Sequence, residues 1–201
     1  QNYKETLARM TPDGTKIVFL KGYEDGTGSM DIFIMDIDGS NQIALTNNLN
    51  HGPENISFSP DGTKMIFEGR ELVDGQPFYN IYSIKMDGYE KTDLTANSNK
   101  NTEFYYTVYN NDGTKIVYIY KGEKYATDLY IMDADGSNQT KLTNATTSQG
   151  YHTSIDISPD GTKIASTWGG YNKLVVIGID GSYRNILTDG SGFYPNFEPR
   201  N

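Results

Sequence analysis

The hexapeptide Ser59-Pro60-Asp61-Gly62-Thr63-Lys64 returns as Ser158-Pro159-Asp160-Gly161-Thr162-Lys163. Close copies stand at Thr11-Pro12-Asp13-Gly14-Thr15-Lys16 and Asn110-Asn111-Asp112-Gly113-Thr114-Lys115, so the Asp-Gly pairs are spaced by 48, 51 and 48 residues. A second Asp-Gly series begins at Asp38, Asp87, Asp135 and Asp180. Each of these is followed, at a constant offset, by a Leu-Thr pair whose threonines are Thr46, Thr95, Thr143 and Thr188. Repetition at this period restricts the chain to folds built from one supersecondary unit used several times.

The unit reads as four strands and two hairpins. Asn55–Ser59 alternates apolar and polar residues, Pro60-Asp61-Gly62-Thr63 turns, and Lys64–Glu68 runs apolar. Two β-rich runs around an Asp-Gly are a hairpin signal, because glycine supplies the positive φ of a tight turn. Tyr79–Lys85 is a third strand, and Met86-Asp87-Gly88 turns into a short fourth one ending at Leu94-Thr95. The third strands of the other repeats are Asp31–Met35, Asp128–Met132 and Leu174–Gly178. They are apolar on consecutive residues, as expected of a strand packed on both faces. No helical periodicity occurs. The expected fold is all-β: a β-propeller of four-stranded antiparallel blades, from four repeats of about 48 residues. A solenoid is the alternative, but its repeats are shorter.

Composition narrows the partners. The chain of 201 residues is 36% hydrophobic and carries a net charge of −9, a globular composition with no concentrated basic face. Nucleic acid is therefore not an expected partner. Cysteine is absent, which removes disulfides, zinc-thiolate sites and cysteine nucleophiles. No apolar run approaches membrane-spanning length, and no signal peptide is read at the start. Gln1 in place of an initiator Met points to a mature form or a piece of something longer.

The hexapeptide together with Asp128-Leu-Tyr-Ile-Met-Asp-Ala-Asp-Gly-Ser-Asn-Gln-Thr-Lys-Leu-Thr143 resembles the TolB-type, WD40-like β-propeller repeat over nearly the whole chain. The third repeat departs by carrying Asn111 where the others have proline, and the fourth shortens the segment between its turns. The resemblance implies a bacterial, periplasmic or extracellular protein. Its family includes partner-binding modules, gating domains of hydrolases and some polysaccharide lyases, so fold alone does not assign function.

Repeat boundaries fall at about 6–50, 51–99, 100–148 and 149–190 within one propeller domain, with a surplus first-strand segment at 192–199. That segment either completes the first blade and leaves residues 1–10 to pair elsewhere, starts a further blade, or crosses to a second chain. A monomer and a dimer are both compatible.

Candidate site residues are few. Asp36-Ile-Asp38-Gly-Ser-Asn41 and Asp133-Ala-Asp135-Gly-Ser-Asn138 invite a calcium reading, but lack the distal bidentate Glu of an EF-hand. A hairpin turn is the favoured reading, and no cofactor is expected. His51 and His152, the sole histidines, fall between a blade's last strand and the next blade's first. They could converge on a central mouth as metal ligands or as acid and base, or simply be exposed loop residues. Glu103, Phe104, Tyr151 and Phe193 lie at similar entries, and exposed aromatics there suit gripping a peptide or stacking on a sugar. Trp168 and Tyr171 frame the second-to-third hairpin of the last repeat, a rim contact. No Gly-x-Ser-x-Gly elbow is present. The leading expectation is a non-catalytic binding module for a protein or peptide. An enzyme of lyase or metal-assisted hydrolase type, and a carbohydrate-binding, lectin-like module, are the alternatives.

Overall fold

A computed structural model describes the chain except residues 1–2, 24–29, 48, 50–51, 75, 97–101, 123–125, 145–150, 169–172 and 189–201. It divides into two compact units, residues 1–100 and 101–201. The described residues contain strands and no helix, hence no helix long and apolar enough to cross a membrane.

The first unit holds two four-stranded antiparallel meanders. One is built from β1 (Tyr3–Met10), β2 (Lys16–Tyr23), β3 (Met30–Asp36) and β4 (Ile43–Ala44). The other takes β5 (Ile56–Phe58), β6 (Lys64–Val73), β7 (Gln76–Lys85) and β8 (Thr92–Asp93). The second unit repeats the plan. β9 (Glu103–Tyr109), β10 (Lys115–Lys121), β11 (Thr127–Asp133) and β12 (Thr140–Lys141) form one sheet. β13 (His152–Ile157), β14 (Lys163–Trp168), β15 (Lys173–Gly178) and β16 (Arg184–Ile186) form the other. β1 pairs with β2, so residues 3–10 hold the first-strand place of the first blade. The segment 192–199 lies outside the described residues.

Each first hairpin is set by hydrogen bonds that the hexapeptide supplies to itself. Ser158 Oγ donates to Asp160 Oδ1 at 2.6 Å and accepts from Lys163 N at 3.0 Å, while Asp160 Oδ1 also accepts from Thr162 N and Oγ1. Thr11-Asp13-Thr15 and Ser59-Asp61-Thr63 repeat the pattern. Gly161, at φ 70°, closes the turn with its N–H on Ser158 O, a conformation that side-chain-bearing residues rarely adopt. In the third repeat Asn110 fills the serine's place and accepts from Lys115 N through Oδ1.

The Leu-Thr pair latches the fourth strand to the third. Thr143 Oγ1 accepts from Leu129 N at 3.0 Å and donates to Asp128 Oδ1 at 2.9 Å. Thr46 does the same with Ile32 N and Asp31, and Thr95 with Ile81 N and Asn80. In the first two repeats the leucine adds to the latch, since Leu45 and Leu94 are buried, whereas Leu187 of the last repeat is exposed. In the last repeat Thr188 keeps the bond from Leu174 N, but Lys173 stands where the carboxylate or amide would be. Lysine has no acceptor to offer.

Each unit has a continuous apolar core between its two sheets. In the first, Val18, Leu20, Ile32 and Ile34 meet Ile56, Met65, Phe67 and Tyr82. In the second, Val117, Ile119 and Leu129 meet Ile155, Ile164, Val175 and Ile177. Thr143→Val removes two buried hydrogen bonds and strands the Leu129 N–H, at a cost of about 1–3 kcal/mol. Thr188→Val removes one, so its urea-unfolding midpoint is expected to fall less. Equal shifts in the two variants would contradict the latch described here.

Candidate functional site

In a meander the first-to-second and third-to-fourth turns share one end of the sheet, and the second-to-third turn and the chain entry share the other. The residues singled out from sequence belong to the second end. His51, Tyr171 and Phe193 lie outside the described residues. The others fall in the second unit.

Glu103 opens β9 and is held by Lys121 Nζ at 2.9 and 3.0 Å and by the Tyr105 hydroxyl. Phe104, expected as an exposed ring, is buried at 4% exposure against Tyr118 and Tyr120. The cause is a break in alternation. Tyr106 takes a positive φ of 51° where the β9–β10 register shifts, so the residues before and after it do not follow one count of faces. Tyr151 is exposed.

His152 is corrected from a loop position to the first residue of β13, with 3% exposure. Its backbone N–H donates to Thr127 Oγ1, whose hydroxyl donates back to the His152 carbonyl at 3.2 Å, tying β11 to β13. Ser166 Oγ gives its single proton to Ser154 O at 2.7 Å. It therefore accepts from His152 Nδ1, also at 2.7 Å, which leaves Nε2 as a bare lone pair. Trp168 is the last residue of β14 rather than a rim-loop residue, and it is buried. Its ring stacks on His152 at 6.4 Å between centroids and carries the Arg184 guanidinium, with Cζ 3.6 Å above the ring centroid. Arg184 was missed by sequence reasoning. It stands three residues after Gly181, where the other repeats carry Gln42, Lys91 and Gln139, a difference visible only when that position is compared across the repeats.

The opposite end of the first unit holds a groove of about 390 Å3 between its two sheets. Its apolar walls are Pro12, Ile34, Pro60 and Met86, and Asp13 and Asp61 edge it. The Thr11 hydroxyl and the Thr15 N–H and hydroxyl stabilise the Asp13 carboxylate, lowering its pKa to about 2. Asp61 is lowered in the same way, by Ser59 first and then Thr63. Lys16 is paired with Asp36. The same end exposes Met10, Ile37 and Tyr89, at 54%, 59% and 73%. The groove is lined by the repeated turn residues themselves, which sequence reasoning treated as purely structural.

The paired Asp-x-Asp motifs are occupied locally. Asp38 accepts from Ser40 N and Oγ, and Asp36 from Asn41 Nδ2 and Lys16 Nζ. Asp135 and Asp133 accept the equivalent bonds from Ser137, Asn138 and Lys115.

Four-stranded antiparallel meanders repeated in sequence, each joined by two Asp-Gly turns, define a β-propeller repeat protein. Comparison with known proteins makes this specific: residues 2–199 match the TolB beta propeller domain, and the chain belongs to that family. No curated protein matches the sequence. Among solved structures, TolB from Acinetobacter baumannii is 24% identical with a TM-score of 0.66, over 92% of this chain and 44% of that one. A putative TolB from Agrobacterium tumefaciens is 20% identical with a TM-score of 0.68, over 92% and 66%. A chain of the nidogen/laminin complex is 14% identical with a TM-score of 0.70, over 94% and 66%. The chain thus spans between 44% and 66% of the length of these structures.

Burial holds His152 neutral, with the Arg184 charge adding to the effect, and lowers its pKa from 6.5 to about 3. The unfolded chain takes up this proton below pH 6.5 while the folded one does not, so stability falls as pH drops from 6.5 toward 3. The depressed Asp13 carboxylate adds its own loss only below its ordinary value of 3.8. Between pH 7 and 5, urea unfolding is expected to show stability declining by about 1 kcal/mol per pH unit below 6.5. His152→Asn is expected to flatten that slope; an unchanged slope would show that the ring is protonated in the folded state.

Proposed function

We propose that the protein is a non-catalytic binding module that takes an extended peptide segment of a protein partner in the groove of its first unit. The observation that carries this reading is the coincidence, at one end of two sheets, of a groove of mixed apolar and polar lining, two carboxylates kept ionised and three exposed large apolar side chains, with the groove's Lys16 already paired to Asp36. Exposed apolar groups at the same sheet end as a groove favour an interaction surface there. The carboxylates, on a chain with a net charge of −9, favour a segment that places an apolar side chain between Pro12 and Pro60 and a Lys or Arg beside it. The module works without a cofactor on this reading, with the Asp-x-Asp motifs serving as turns rather than calcium loops. The bacterial sources of the two TolB structures, with the family resemblance, favour a bacterial protein acting in the periplasm or outside the cell. The enzymatic alternative, a pair of histidines at one mouth, draws no support from His152, which stands in β13 with its Nδ1 on Ser166.

The test is selection of displayed random peptides on the immobilised protein. Enriched sequences are expected to combine an apolar residue with a neighbouring Lys or Arg. Ile37→Asp combined with Tyr89→Ala changes only exposed side chains, for which the stability effect is within about 0.5 kcal/mol. It is expected to weaken the selected peptides at least tenfold at unchanged melting temperature. Failure to enrich any basic-apolar sequence, or enrichment indifferent to the double variant, would refute the groove as the binding surface.

A further inference from the structure

At one end of the last sheet, three side chains leave buried polar atoms without partners: Arg184 through Nε and Nη2, Trp168 through Nε1 and His152 through Nε2. Buried polar groups are nearly always satisfied, so several unmet ones in contact with each other call for an explanation. Their chemistry is selective. Nε–H and the Nη2 group lie on one edge of the guanidinium plane and point the same way, the fork that receives both oxygens of a carboxylate. Stacking on Trp168 at 3.6 Å fixes the plane of that fork, so little freedom is lost when it is filled. The indole N–H of the same Trp168 is a further unpartnered donor. The bare Nε2 of His152 is an acceptor, close enough that the Arg184 charge acts on it.

The natural candidate to fill the fork from within is Asp128, whose charge reaches both Arg184 and His152. Its carboxylate is committed elsewhere, Oδ1 to the Thr143 latch and Oδ2 to Lys141 Nζ at 2.7 Å. Arg184 opens the three-residue edge strand β16 and is itself partly exposed.

We propose that Arg184, Trp168 and His152 form a binding site for a peptide carboxylate, with the fork and the indole N–H on the carboxylate and His152 Nε2 accepting from an amide N–H next to it. This site is in the second unit, is separate from the groove of the first, and stands whether or not that groove binds a partner.

Trp168 is the sole tryptophan, so its fluorescence reads the site directly. The unmodified protein is titrated with sodium acetate, N-acetylalanine and N-acetylaspartamide, each against sodium chloride of equal ionic strength. A saturable change with the carboxylates and none with chloride is expected, accompanied by a rise in melting temperature that grows with carboxylate concentration. N-acetylalanine carries the carboxylate of a chain end and N-acetylaspartamide that of a side chain, and the one with the lower midpoint identifies the source. Arg184→Lys keeps the charge and loses the fork, and is expected to raise the midpoint at least tenfold. The proposal is overturned if chloride reproduces the carboxylate response, if neither fluorescence nor melting temperature of the unmodified protein responds, or if Arg184→Lys, shown folded by circular dichroism, keeps the original midpoint. The first two outcomes are decided on the unmodified protein alone and hold whatever the variant does.

Discussion

Everything in this chain depends on a carboxylate folded back on its own turn. In three of the four first hairpins an aspartate accepts from the hydroxyl two residues before it and from the N–H and hydroxyl two residues after it. In the other, Asp112 keeps the later pair of bonds. These bonds fix the loop length, the loop length fixes which residues of the two strands face each other, and that register decides which side chains enter the core. With the register set, Ile164 falls opposite Ile157 and Ile177, and a single apolar column runs across three strands. A one-residue slip would send that column to the other face. The turns are exposed, yet they determine the interior.

The second recurrent device works at the far side of each sheet. A two-residue fourth strand makes too few ladder bonds to hold itself, and the threonine latch supplies what the ladder lacks. The same threonine in four repeats meets Asp31, Asn80, Asp128 and Lys173, so the latch has a carboxylate in the first and third repeats, an amide in the second and no acceptor in the last. The last repeat, with the weakest latch, is the one whose fourth strand begins with the arginine left unsatisfied over Trp168.

The fold was largely legible in the sequence because its devices are local. Asp-Gly spacing located both hairpins of every repeat, and the Leu-Thr offset marked the latch before its partner was known. The sites were not legible to the same degree. Phe104 was expected to be exposed because it stands at a strand entry, but its ring packs into the core against Tyr118 and Tyr120. Trp168 looked like a loop residue because glycines follow it, but β14 continues to that position. The groove depends on two sheets meeting, and no window of sequence shorter than two repeats contains both walls; Arg184 meets Trp168 across one sheet, from β16 to β14. His152 was visible as a candidate, though its tautomer and burial follow from Ser166, a residue without any signal of its own.

The shortness of the fourth strands has a consequence beyond packing. A sheet edge carries a row of unused N–H and C=O groups that another chain can copy, and long flat edges seed aggregation. Here that edge is two residues long in three sheets and three in the other. Too little regular backbone is presented for a neighbouring molecule to zip onto. The protein can therefore keep apolar strands at the heart of every blade and still remain, on that side, a poor template for its own copies.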